Sequence, residues 1–185
     1  MLSINFSPFP VLTTERLQLR QLVPGDAEQI FRLRSNDQVN RFIGRTQYLA
    51  ASEALTFINK INRSVSNNES VYWAICFKGN PELVGTICLW NIQPENYRAE
   101  IGYELHPENW GKGIMSEAID RIIEYGFNTM RLHSIQADTD PANSQSVSLL
   151  EKAGFLKEGH FTESVYSNGH FSDMAVYSIV SRANN

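Results

Sequence analysis

Apolar and polar residues alternate with period two from Thr14 to Leu22, in TERLQLRQL, which is the pattern of a strand with one face buried. Pro24, Gly25 and Asp26 stop that strand. AEQIFRLRS follows with Ile30, Phe31 and Leu33 at near-helical spacing, and Asp26 is placed to cap its first turn. A second helix is predicted from Ala50 to Val65, with Leu55, Ile58 and Ile61 on one face and the turn-forming SNNES behind it. Three strands come next, VYWAICF, ELVGTICLW and YRAEIGYEL, parted by GNP and NIQPEN, which predicts an antiparallel meander.

After HPENWGKG the period changes. From Ile114 to Tyr125, Met115, Ala118, Ile119 and Ile122 share one helical face, while Glu117, Asp120, Arg121 and Glu124 occupy the other. LHSIQAD is a short strand, DPANSQSVSLLEKAG a helix ended by Gly154, and FLKEGHF and Met174 to Val180 are two last strands. The order predicts an α/β (α+β) sandwich, with a mixed, mostly antiparallel, twisted sheet of about seven strands flanked by about four helices. No internal repeat or low-complexity tract interrupts it.

At 185 residues, 42% of them hydrophobic, the chain suffices for one substantial core, so residues 1–185 are expected to form a single domain. No apolar stretch approaches the roughly 20 residues that cross a bilayer. MLSINFSPFPVL lacks the basic flank and apolar core of a secretory leader, so the expected address is cytoplasmic, away from membranes. The formal charge of −4, with no run of Lys and Arg, argues against direct nucleic-acid binding. Cys76 and Cys88 lie in apolar strand-like runs and read as core thiols. His106, His133, His160 and His170 do not group with acids at metal-binding spacing, so no metal is expected. Trp73, Trp90 and Trp110 fit either a core or a pocket wall.

Candidate chemistry gathers between Glu100 and Ile119, where a glycine-rich turn leaves a strand and opens into an amphipathic helix. Glycines let the backbone approach a ligand closely. The first helical N–H groups have no intrahelical partner, and the helix dipole favours negative charge at that end. A pyrophosphate would sit there, although Gly111 and Gly113 could also serve only as helix punctuation. The nucleotide spacing GxxxxGK[ST] is absent, and Ser116 stands where GxGxxG needs its third glycine.

HPENWGKGIMSEAI resembles the acyl-CoA pyrophosphate loop of the GNAT superfamily, usually (Q/R)xxGx(G/A), with Trp110 in place of the first Gln or Arg and Met115 in place of the last small residue. WGKG followed by a bulky pair is similar to the RimJ/RimL-like branch. TERLQLRQLVPGDAEQIFRLRSN, AEIGYEL and NSQSVSLLEKAGFLKEG resemble that branch's opening strand and helix, central strand, and CoA-flanking helix and strand. Together these cover most of the chain.

The resemblance implies the GNAT fold, acetyl-CoA as cosubstrate and an amine acceptor. It implies that Leu105 and His106 lie near a splayed strand edge that holds the pantetheine arm. The N–H groups of Gly111, Lys112, Gly113, Ile114 and Met115 would cradle the pyrophosphate. Asn143 would hold the arm, or act only as a helix cap. Ser146 would lie at the CoA sulfur and protonate the leaving thiolate. Many relatives carry a Tyr later in this helix, but Leu149, Leu150 and Glu151 stand there, so no tyrosine acid is expected.

The base is open between Glu100, which alternation places on one face with Gly102 and Glu104, and Glu163 in a late strand, where the position better matched by spacing is Val165. Either glutamate could equally be a solvated surface charge. An α-amine needs little help, since roughly a tenth to a fifth is neutral at pH 7, against a few parts in ten thousand for lysine. The implied acceptor is the N-terminal amine of a protein, ribosomal proteins being the branch's named case, in direct transfer with no acyl-enzyme. The alternatives are a small amine such as an amino acid, polyamine or antibiotic, and a non-catalytic acyl-CoA-binding module. A monomer or homodimer is expected.

Overall fold

The computed structural model describes residues 2–167 and 169–182. Eight strands form one sheet: β1 (Leu12–Thr13), β2 (Leu17–Gln21), β3 (Val71–Phe77), β4 (Leu83–Gln93), β5 (Arg98–Leu105), β6 (Ser134–Thr139), β7 (Leu156–Ser167) and β8 (His170–Val180). Their spatial order is β1-β2-β3-β4-β5-β6-β8-β7. The helices are α1 (Ala27–Arg34), α2 (Asp37–Asn40), α3 (Ala51–Ser66), α4 (Ile114–Asn128) and α5 (Ser144–Lys152). Every neighbouring pair of strands is antiparallel except β5 and β6.

The two elements beyond the expected count are both too short for periodicity to reveal. β1 pairs only Leu12 and Thr13 with β2. α2 is a single turn, capped by Asn36 Oδ1, which accepts the N–H groups of Gln38 and Val39. β2 starts at Leu17 rather than Thr14 because Thr14 and the Arg16 N–H bond to the Glu117 carboxylate of α4. NIQ, expected as a breaker, continues β4 through an irregularity between Trp90 and Gln93. β7 and β8 make a much longer hairpin than expected. β7 is mostly exposed on both faces, so no apolar alternation marks its length.

The sheet separates two layers. On one face Trp73, Ile87, Leu89 and Ile101 pack under Ala118, Ile119, Ile122 and Tyr125 of α4, with Trp73 and Tyr125 edge to face at 5.5 Å. Trp73 is wholly buried. On the other face Tyr72 meets Phe57 of α3, 5.6 Å between ring centroids. α3 turns Ala54, Ile58 and Val65 inward, whereas Leu55, expected on that face, is 41% exposed. Asp26 does not cap α1 with its side chain. Its buried carboxylate accepts the Val23 N–H and two hydrogen bonds from Arg20. Gly154 ends the α5 segment at φ +89°, as expected of a left-handed helix stop.

The parallel pairing of β5 and β6 covers only Arg98–Glu100 against Ser134–Gln136. Beyond it β5 stays with β4 as far as Leu105 and β6 stays with β8 as far as Thr139, so a wedge opens between them. β4 is held close at the mouth by Gly85, paired with Leu105, where an added methyl group would lie 2.5 Å from the Glu104 carbonyl. Gly85→Ala is therefore expected to lower stability by about 1–3 kcal/mol through forced backbone movement. Urea denaturation measures it, and an unchanged midpoint would show that β4 and β5 separate at no cost.

Candidate functional site

The backbone direction along β5 decides what faces the wedge. The His106 N–H donates to Val84 O at 2.9 Å, and Glu104 pairs with Thr86 with its carbonyl beside Gly85, so even-numbered residues spend their amides on β4. By strand alternation Ile101, Tyr103 and Leu105 turn theirs toward the wedge. The Leu105 carbonyl accepts the Trp110 indole N–H at 2.8 Å, which fixes Trp110 at the mouth. Buried amide edges need partners. An open cleft of about 1530 Å3 adjoins this edge, ample for two ligands side by side.

At the mouth, Gly111 and Gly113 both adopt φ +72°, and Gly113 is the cap residue of α4. A side chain at either would be strained by that conformation. The loop is clamped from behind. Arg16 Nη1 donates to Lys112 O at 3.0 Å, Arg16 Nε to Glu117 Oε2 at 2.7 Å, and Thr14 Oγ1 to Glu117 Oε1. Burial acts to raise the Glu117 pKa, but hydrogen bonds from Thr14 and Arg16 leave it below the ordinary value. Gly111, Gly113, Ile114 and Met115 line the cleft, and the free N–H groups of the α4 terminus suit a phosphate group. The Lys112 side chain lies outside it.

Across the wedge, α5 begins at Asn143, whose Oδ1 accepts the Ser146 N–H at 3.2 Å. Both Asn143 and Ser146 line the cleft, so the capping role and a ligand-facing position coexist. The Ser146 hydroxyl lies 2.9 Å from the Tyr103 hydroxyl. A tyrosine thus stands beside Ser146, contributed by β5 and not by the helix, where Leu149, Leu150 and Glu151 follow. Burial pushes its phenol up to about 12, the Ser146 hydrogen bond pulling the other way.

The carboxylates are placed as follows. Glu104 lies on the opposite face of β5 from Tyr103, in the cleft, and accepts hydrogen bonds from Arg34 at 3.1 Å and Arg45 at 2.6 Å. Burial alone would raise its pKa, but the two guanidinium groups overcome that and hold it below 4.5. Glu100 sits where β5 still pairs with β6, at the closed end of the wedge, with Oε1 2.5 Å from Asn91 Nδ2. Glu163 occupies a bulge in β7 at φ +49°, its N–H donating to Asp173. Neither lines the cleft. Val165 faces the smaller pocket beside residues 41–44. Asp138 of β6, which pattern reading passed over, does line the cleft, and takes a hydrogen bond from Gln136 at 2.8 Å.

His106 turns away from the cleft. Its buried ring lies near Arg32 and Glu108, and burial lowers its pKa. Cys76 and Cys88 are buried free thiols, and burial pushes Cys88 up to about 12, which leaves no thiolate for nucleophilic chemistry. Trp90, 49% exposed, lines the cleft with Trp110. Among the described residues no group of three His, Cys, Asp or Glu could hold a metal ion. No described helix is long and apolar enough to cross a membrane.

A family model described as an acetyltransferase (GNAT) domain matches residues 16–156. The chain is 40% identical over 172 residues to the uncharacterized N-acetyltransferase YoaA of Bacillus subtilis (strain 168), covering 93% of this chain and 97% of that one. It is 27% identical over 170 residues to the ribosomal protein uS5-alanine N-acetyltransferase of Escherichia coli (strain K12), covering 88% and 86%. Spermidine N-acetyltransferase from Vibrio cholerae, solved in complex with CoA and spermine, superposes with a TM-score of 0.79 at 27% identity, covering 89% of this chain and 95% of that one.

The Glu104 cluster yields a pH test. Its folded pKa is depressed, so its contribution to stability is fully present above the ordinary value of 4.5 and is lost as pH falls through the lower folded value. Glu104→Gln, which strands two guanidinium groups, is expected to cost about 3–5 kcal/mol at neutral pH. The gap from the parent should narrow in urea melts taken at progressively lower pH. A gap that stays constant down to about pH 3 contradicts the assignment.

Proposed function

The chain belongs to the GNAT acetyltransferase family, and from that premise we propose that it transfers an acetyl group directly from acetyl-CoA to the N-terminal α-amine of a protein. N-acetyl transfer with acetyl-CoA as donor comes with the family. The protein N terminus is the finer reading. It draws on the uS5-alanine relative and on the modest proton chemistry within the cleft.

The observation that carries the proposal is the meeting of an unpaired strand edge, a clamped glycine loop and the Tyr103–Ser146 hydroxyl pair around one wedge. The donor supplies an activated acyl group as a thioester. Along the wedge, the amides of Ile101 and Tyr103 are the edge that would pair with the pantetheine amides, as an added strand would. The Leu105 N–H is the donor for the developing oxyanion. The N–H groups from Gly111 to Met115 take the pyrophosphate, and Asn143 keeps its amide nitrogen for the arm. Ser146 gives its proton to the departing sulfur and takes one from Tyr103, which is reprotonated by solvent in the open cleft.

A base is needed to carry the amine's proton away. Glu104 is unsuited, being held ionised by Arg34 and Arg45. Asp138 shares a face with Gln136, and hence with its partner Glu100; it lines the cleft and accepts one hydrogen bond, from Gln136, with no arginine bonded to it among the described residues. We assign it the acceptor role through water, in preference to Glu100 or Glu163. An α-amine, already partly neutral near pH 7, makes that weak base sufficient.

Ser146→Ala and Tyr103→Phe are each expected to lower kcat about 10- to 100-fold with little change in the acetyl-CoA KM. The double variant should be scarcely worse than either single one, because the hydroxyls act as a unit. Asp138→Asn should cost about tenfold in kcat/KM, and Glu100→Gln and Glu163→Gln less than about threefold. Thiol release from acetyl-CoA with peptides beginning in Ser, Ala or Met reads all of these. Full activity of both hydroxyl variants would remove the proton-relay assignment.

A further inference from the structure

The acceptor half of the cleft lies on the sheet face that carries Tyr72, Cys88, Gly102 and Glu104, roofed by α1, α3 and residues 41–45. Two guanidinium groups converge there on one carboxylate. Arg34 donates to Glu104 Oε1 at 3.1 Å and to the Tyr48 hydroxyl at 3.0 Å, and its guanidinium carbon lies 3.5 Å from the centroid of Phe57. Arg45 donates to the same Glu104 oxygen at 2.6 Å and, through Nε, to Asn40 Oδ1 at 2.8 Å. Both arginines are less than a fifth exposed. Glu104 can neutralise one of them, so a positive charge is left over in a confined site.

The rest of the wall adds to it. Arg34, Arg41, Arg45, Lys60 and Lys152 line the cleft against Glu69, Glu104 and Asp138, five basic groups to three acidic. The whole chain has the opposite balance, 16 basic to 20 acidic. The charge reversal is therefore local. Lys152 sits on α5 at the cofactor end, but the other four basic residues come from α1, α3 and the stretch after α2, on the opposite sheet face from Tyr103 and away from the glycine loop. The phosphates of the donor do not account for them.

We propose that the acceptor amine carries an anionic group a few bonds from its nitrogen, a carboxylate above all, which this arginine-dominated wall receives. The inference rests on the amine-transfer reading and narrows its substrate. A polyamine would bring cations to a wall that already has a cation in excess, and its one deep carboxylate is occupied by arginines. An acidic side chain near a peptide N terminus and the carboxylate of a small amino acid offer the same chemistry.

The test uses the full chain with saturating acetyl-CoA and follows thiol release. The acceptors are Ser-Glu-Ala and Ser-Gln-Ala peptide amides, β-alanine and β-alaninamide, and spermidine. The acidic peptide is expected to exceed its glutamine counterpart about tenfold in kcat/KM, the ratio falling toward one in high salt and in Arg41→Gln. An advantage confined to β-alanine over its amide would assign the carboxylate to a small molecule instead. Equal rates within each matched pair, or a preference for spermidine, would overturn the inference while leaving amine transfer intact. If no amine releases thiol, the transfer reading fails. The inference is then judged by equilibrium binding of the two peptides to CoA-saturated protein through tryptophan fluorescence, where equal affinities overturn it.

Discussion

Three residues of parallel pairing between β5 and β6, followed by divergence, are the constraint on which the rest of the site depends. A strand that leaves its neighbour exposes N–H and C=O groups, and such groups inside a protein must find partners. Here the exposed residues are Ile101, Tyr103 and Leu105, and one carbonyl among them is already taken by Trp110. The remaining edge has the amides with which an extended, amide-bearing ligand would pair, and that is the role we propose for it with the pantetheine arm.

The wedge needs rigid walls, and it has them on each side. Tyr103 and Ser146 bridge it from β5 to α5. The Thr14–Arg16–Glu117 clamp ties the first turn of α4 to the chain just before β2, so the glycine loop is positioned by residues about a hundred places earlier in sequence. On the far face, the Arg34–Glu104–Arg45 cluster locks β5 to α1 and to the stretch after α2. That cluster engages a buried carboxylate with two guanidinium groups, which is why the face of β5 opposite Tyr103 is arginine-rich while Glu104 itself is not free to act as a base.

Local pattern carried a large part of this architecture. VYWAICF is a strand over the residues its apolar run marks, and WGKG opens α4 at Ile114 as the change of period indicates. Gly111, Gly113, Asn143 and Ser146, which the resemblance assigns to the donor, line one cleft. What escaped was set by contacts distant in sequence. Tyr103 and Ser146 meet across 43 positions, and Arg45 reaches Glu104 across 59. Alternation placed Glu100 on the acceptor face, but not at the closed end of the wedge beyond the cleft. His106 follows Leu105 directly, yet a single step along a strand turned its amide toward β4 and left its ring outside the cleft.

Amide hydrogen exchange at Ile101, Tyr103 and Leu105, resolved by NMR with and without CoA, tests the unpaired edge most directly. The account predicts fast exchange at these three amides in the free protein beside slow exchange at Gly102 and Glu104, and strong slowing of the Ile101 and Tyr103 amides once CoA is bound. Amides already protected without ligand, or indifferent to it, would mean that the wedge is not where the donor is held.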